Sequence, residues 1–218
     1  MSHRVKACTV MNEIPPERGQ DLPQRYESAT GKGDILIPGA GTVGMVVLIV
    51  SLSMLFAASM FAFGLIRYRT QPWPPLGMPE IPQTLWLSTV VILLASVAIQ
   101  YAMNSVRRDS ECGLKRGLWL TMFLGGVFLA IQGYNWWEFV SGLPSYYHIQ
   151  GAYLGMFYVL TGLHALHVIG GMIPLGIVIW RAHRGRYSRN FHPGVRYSAV
   201  YWHFLDVVWV VLFVMIYF

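Results

Sequence analysis

Five long apolar stretches, separated by short polar ones, set the pattern of this chain. They run over residues 41–66, 83–103, 117–140, 151–180 and 197–218. Roughly 20 residues at about 1.5 Å rise cross a hydrocarbon core about 30 Å thick, so each stretch predicts a membrane-spanning helix. The expected fold is all-α: a polytopic bundle of five transmembrane helices over residues 37–218, preceded by a polar tail over residues 1–36.

Composition agrees. Hydrophobic residues make up 55% of the chain, charged residues only 12%, and mean hydropathy is +0.46. A soluble domain would expose more apolar surface than it tolerates. The net charge of +6 changes the picture only through its placement. The tail holds five lysines and arginines, the polar segment after the second stretch four and that after the fourth stretch five. The segment after the first stretch holds only Arg67 and Arg69. With an odd number of spans, the positive-inside rule predicts a cytoplasmic N-terminus and an outer C-terminus in the cell's inner membrane. The basic residues are thus topology signals, and no nucleic acid is expected as a partner. Cys8 and Cys112 have no metal-ligand spacing and indicate no disulfide framework. The polar tail lacks the pattern of a cleaved signal peptide.

Candidate chemistry lies inside the spans. Of ten acidic residues, only Glu138 and Asp206 lie in or against a span. Glu138 ends the third span among aromatics and reads as an interfacial carboxylate. Asp206 is near mid-span, where a carboxylate costs a few kcal/mol without a partner. His203 precedes it by three residues, and His164 and His167 repeat that spacing on the fourth span, so each pair shares a helix face. Counted from the basic segment between the last two spans, His167 and Asp206 sit about 20 and 15 Å deep. The four side chains could form one polar layer.

Three readings compete for that layer. Paired histidines could ligate a metal or haem. Histidine and aspartate could relay protons. The reading preferred is a structural clasp, hydrogen-bonded within the helical hairpin and to a partner protein or lipid, fixing helix register. Gly151, Gly155, Gly162, Gly170 and Gly171 are expected to let helices approach closely, the first two at GxxxG spacing.

Two motifs carry a family resemblance. Tyr201-Trp202-His203-Phe204-Leu205-Asp206-Val207-Val208-Trp209 resembles the last-helix signature of subunit III of the haem-copper (cytochrome c) oxidases. Thr161-Gly162-Leu163-His164-Ala165-Leu166-His167-Val168-Ile169-Gly170 resembles the helix before it. Trp202 and Trp209 are part of that signature, and the resemblance spans about residues 40–218. It matches a short, five-helix form of the family. Two acids of many relatives are absent: Leu52 and Asn135 stand at those places. The resemblance implies an accessory subunit with no catalytic, cofactor-binding or metal-ligating residue of its own. It would pack against the catalytic subunit I within the wider oxidase complex and among membrane lipids. Haem and copper are then expected in partner subunits, and a bound phospholipid is the one small molecule left open here. The complex would oxidise cytochrome c or quinol, reduce oxygen to water and translocate protons in aerobic respiration. The alternative is the subunit-III-like accessory protein of a nitric oxide reductase. A free-standing transporter is a third class, against which stands the lack of an inverted repeat or paired broken helices.

Overall fold

The structure is a computed structural model that describes residues 40–69, 83–141, 152–189 and 191–217. The described residues form five helices: α1 (Ala40–Arg69), α2 (Thr84–Arg107), α3 (Glu111–Ser141), α4 (Ala152–His183) and α5 (Pro193–Tyr217). Each is long and apolar enough to cross a membrane. Every expected span is therefore a helix, and most run further than their apolar core. The polar segment after the second apolar stretch, 104–116, is helical except for Arg108, Asp109 and Ser110. Hydropathy marks where hydrocarbon ends, whereas a helix continues through the interface until its last hydrogen bonds are better made otherwise. The tail 1–36 and residues 70–82 between the first two spans lie outside the described residues.

Helices α2, α3, α4 and α5 form a ring: α2 packs on α3 and α5, and α4 packs on α3 and α5. The α2–α3 hairpin is closed by Asp109 at φ 53°, a left-handed position that Asp tolerates better than most residues. The Ser110 N–H bonds back to the Ser105 carbonyl at 2.9 Å. Asp109 Oδ1 also accepts from the Arg189 N–H at 2.8 Å, tying this turn to the connection between α4 and α5. Gly185, at φ 64°, stands just past the end of α4, the left-handed position where glycine is favoured. Cys112 is disulfide-bonded, where the sequence indicated no disulfide. Cys8 lies outside the described residues, and two cysteines so far apart in sequence give no spacing to read.

Lipid tails are as apolar as leucine, so packing between these helices rests on close fit and hydrogen bonds rather than on escape from water. Small residues supply the fit. Ala95, Ala98 and Ala102 are buried on α2, and a Cβ added at Gly117 of α3 would lie 2.8 Å from the Ala102 backbone nitrogen. A Cβ at Gly125 would strike the Trp202 ring at 2.7 Å, and one at Gly171 the Tyr201 ring at 2.5 Å. Helix α1 is different. Only 11% of its most apolar window is buried, against 50% for α2 and α5. Phe56 and Phe63 are its fully buried anchors, and the Arg67 guanidinium donates to the Met215 carbonyl of α5 at 2.7 Å.

Candidate functional site: the polar residues inside the bundle

The helices are cross-tied by tryptophan and tyrosine. The Trp209 indole N–H of α5 donates to Thr89 Oγ1 of α2 at 3.0 Å, and that hydroxyl donates to the Leu85 carbonyl one turn back. Trp136 of α3 and Thr161 of α4 repeat the device at 3.0 Å, with Thr161 donating to Phe157. In both, a hydroxyl that would merely back-bond its own helix gains a partner from the next helix, so register is fixed by a directed bond. Tyr158 adds a bond to the Trp136 carbonyl, and Tyr201 of α5 one to the His167 carbonyl of α4, both at 3.0 Å. Trp202 is fully buried, with its ring against Gly125.

The four polar residues expected to form one layer fall into two groups. His164 is fully buried, and neither ring nitrogen has a hydrogen-bond partner among the described residues. Aromatic rings surround it instead: Trp209 at 5.0 Å, Phe128 at 5.7 Å edge-on and Phe56 at 6.2 Å between centroids. His167 pairs through Nδ1 with its own helix, 2.7 Å from the Leu163 carbonyl, and lies 5.2 Å from Phe56. These two histidines thus anchor α1 to α4 through Phe56.

His203 turns toward α2. Its Nδ1 is 2.7 Å from Ser96 Oγ and its Nε2 is 3.2 Å from Gln100 Oε1. An amide oxygen only accepts, so Nε2 carries the proton and, in the neutral ring, Nδ1 accepts from the Ser96 hydroxyl. Asp206 is buried, its Oδ2 3.9 Å from His203 Nδ1. That is beyond hydrogen-bond reach, and neither carboxyl oxygen has a hydrogen-bond partner among the described residues. No hydrogen bond among the described residues links His164 or His167 to the side chain of His203 or Asp206. The expected i, i+3 sharing of a face holds within each pair. The merging of the pairs into one layer does not follow from it, because side-chain direction around each helix also decides which neighbour is met.

The glycines separate likewise. Gly171 meets Tyr201, Gly162 barely touches Trp136, and a side chain at Gly155 or Gly170 would meet nothing within 4 Å. Gly151 lies outside the described residues. Besides Gly171, close helix approaches come at Gly113, Gly117 and Gly125 of α3, a helix on which the sequence raised no such expectation. Asn135, at the place of a family acid, is buried and its Oδ1 accepts from Thr84 of α2. Leu52 is half-buried on α1. Sequence reading also missed Ser96, Gln100 and Asn104, although their i, i+4, i+8 spacing on one face of the second span was there to be seen. Among the described residues no group of three His, Cys, Asp or Glu side chains could hold a metal ion.

The two quoted motifs thus form the adjoining faces of α4 and α5, and comparison with known proteins extends the likeness beyond them. The family model for cytochrome c oxidase subunit III matches residues 26–218. A cytochrome c oxidase subunit 3 of Thermostichus vulcanus is 33% identical over 181 residues, covering 83% of this chain and 88% of that protein. The Synechocystis protein of the same name is 33% identical over 90% of this chain and 83% of its own length. The rabbit protein (Oryctolagus cuniculus) is also 33% identical, over 80% of this chain and 67% of its own length. With one family model covering most of the chain and its two motifs seated on packed neighbouring helices, this protein belongs to the cytochrome c oxidase subunit III family.

Proposed function

We propose that this chain is an accessory, non-redox subunit III of a respiratory haem-copper terminal oxidase and that it steadies the catalytic subunit I. The observation that carries the reading is the family match over residues 26–218, shared with relatives named cytochrome c oxidase subunit 3. The interior geometry supports a scaffold. A ligand histidine needs an open side toward its metal, and His164 is instead walled by Phe56, Phe128 and Trp209. His203 is held by α2, and His167 by its own helix. On this reading haem and copper reside in partner subunits, and this chain contributes fixed helix faces to them and to lipid.

His164, His167, His203 and Asp206 act as two clasps. The first pair holds Phe56 of α1 on α4, and in the second His203 fixes α5 on α2. Helix-to-helix polar contacts in membranes average under about 1 kcal/mol, so their yield is register more than stability. The arginine distribution supports a cytoplasmic N-terminus in the cell's inner membrane.

The test is purification of the tagged chain from its native membrane in mild detergent. Co-elution with haem-bearing subunits that consume oxygen with cytochrome c or quinol is expected. Elution as a stable free chain, or with subunits that reduce nitric oxide, would overturn the reading.

A further inference from the structure

His203 stands between a surface groove and a buried acid. The groove, of about 480 Å³ between α2 and α5, is lined by Ser96, Val97, Gln100, Tyr101, Asn104 and His203. Gln100 is less than one turn from the end of the second apolar stretch and Asn104 lies beyond it, so water and lipid headgroups reach the groove. The His203 side chain keeps 40% of its surface there, and its Nε2 is 3.2 Å from Gln100 Oε1. The other ring nitrogen, Nδ1, lies 2.7 Å from Ser96 Oγ and 3.9 Å from Asp206 Oδ2. The Asp206 side chain keeps only 5% of its surface. One imidazole thus has a nitrogen at the wet groove and a nitrogen close to a carboxyl that is shut away from it.

Among the described residues no lysine or arginine pairs with Asp206, and neither carboxyl oxygen is hydrogen-bonded. A buried carboxylate without a cation or a donor is far costlier than the neutral acid. Two helices, α2 and α4, pack closely on α5. From α2 the groups at the pair are Ser96, Gln100 and Tyr101, none of them a cation. On α4, His164 and His167 face Phe56 instead, and Tyr201 of α5 is committed to the His167 carbonyl. His203 is therefore the group placed to exchange a proton with Asp206.

We infer that Asp206 holds an exchangeable proton, which enters and leaves the bundle from the α2–α5 groove through the His203 imidazole. In the loaded form the carboxyl is neutral and His203 carries its proton on Nε2, as its bond to Gln100 requires. A closure of roughly 1 Å brings Oδ2 within bonding distance of Nδ1. The Oδ2–H bond then breaks as an Nδ1–H bond forms, and the Nε2 proton passes to water in the groove. The unloaded form is a carboxylate accepting from Nδ1–H, with Nε2 accepting from the Gln100 amide turned end for end. Loading is the same sequence reversed, so the ring need not flip. Beyond Asp206 no hydrogen bond among the described residues carries the line further. The site is blind: it stores a proton and does not conduct one across the membrane. Because His203 gives up its bond from Ser96 as the site unloads, the clasp between α2 and α5 responds to proton supply at the groove.

The experiment is infrared spectroscopy of the protein as purified from its native membrane, with the subunits that travel with it. Near neutral pH, the difference between the unaltered protein and Asp206→Asn should show the carbonyl stretch of a protonated carboxylic acid, and that band should move on transfer to heavy water. Asp206→Glu keeps the acid and assigns the band by displacing it, should the asparagine variant fail to assemble. His203→Gln keeps a hydrogen-bonding side chain toward α2 but takes up no proton. In it the band should persist, and its shift in heavy water should slow about a hundredfold, the contribution of one positioned proton-transfer group. Gln100→Leu, which closes the groove with an apolar side chain and leaves His203 in place, should slow the shift too. Absence of the carboxylic band would overturn the inference by showing Asp206 ionised. A band that never moves in heavy water would overturn it by showing the site sealed. Exchange as fast in His203→Gln and Gln100→Leu as in the unaltered protein would do so by placing the route elsewhere. The spectra read this chain in whatever complex it joins, so their outcome is independent of the proposed function.

Discussion

Asp206 is the residue with the most to lose from its position. A buried carboxyl without a bonded donor is costly in hydrocarbon, and its neighbour His203 is committed to Ser96 and Gln100. Asp206→Asn should therefore lower recovery of the complex or hasten its inactivation during turnover, with the initial oxygen-consumption rate unchanged. Oxygen-electrode traces of purified complex check this. Immediate loss of proton pumping with assembly intact would instead give Asp206 a relay role. Glycine offers a cleaner contrast. Gly117→Ala would drive a methyl group against the Ala102 backbone, which has no flexible side chain to yield, at a cost of about 1–3 kcal/mol. Gly126→Ala meets nothing within 4 Å and should gain a few tenths to about 1 kcal/mol from helix propensity. Unfolding in mixed micelles, followed by circular dichroism, separates the two.

At the scale of the helix, α1 is held by a few anchors and α2 by a whole face. Phe56 is 1% exposed and touches both His164 and His167, whereas Phe61 is 74% exposed. Phe56→Ala should cost about 3 kcal/mol by the cavity it leaves, and Phe61→Ala close to nothing. Release of α1 from the other helices, read by hydrogen exchange along α1 in detergent, should follow the first change and not the second. Hydropathy could not forecast this difference. Helix α1 is as apolar as α5, and what sets it apart is that its neighbours meet it along one narrow line.

For the whole molecule, the asymmetry of arginine and lysine makes a topology prediction. A reporter fused after Phe218 should fold and fluoresce or be labelled only on the outer side of the membrane, and one placed between Arg108 and Glu111 only on the cytoplasmic side. Lysine and arginine carry this information because they resist translocation, independently of how the helices pack.

The sequence by itself determined the number of spans and their order, because the length of an apolar run is set by the thickness of hydrocarbon. It also carried the family through the motifs on α4 and α5, and it flagged Asp206 because a charge in that setting is rare. Only the tertiary structure decided which helix each polar side chain serves. The pairs His164–His167 and His203–Asp206 look alike in sequence, at one spacing and comparable depth. Their side chains leave adjacent helices in different directions, one pair toward Phe56 and Trp209, the other toward Ser96 and Gln100. Likewise the glycines of span four looked like the contact surface, yet of them Gly171 alone meets a close neighbour, and the glycine set against another helix's backbone is Gly117 on α3. In a chain this uniformly apolar, the faces of a helix that turn inward and outward carry the same kinds of residue. The choice of face rests on the fit of small residues and on directed hydrogen bonds, and both exist only once the helices are packed together.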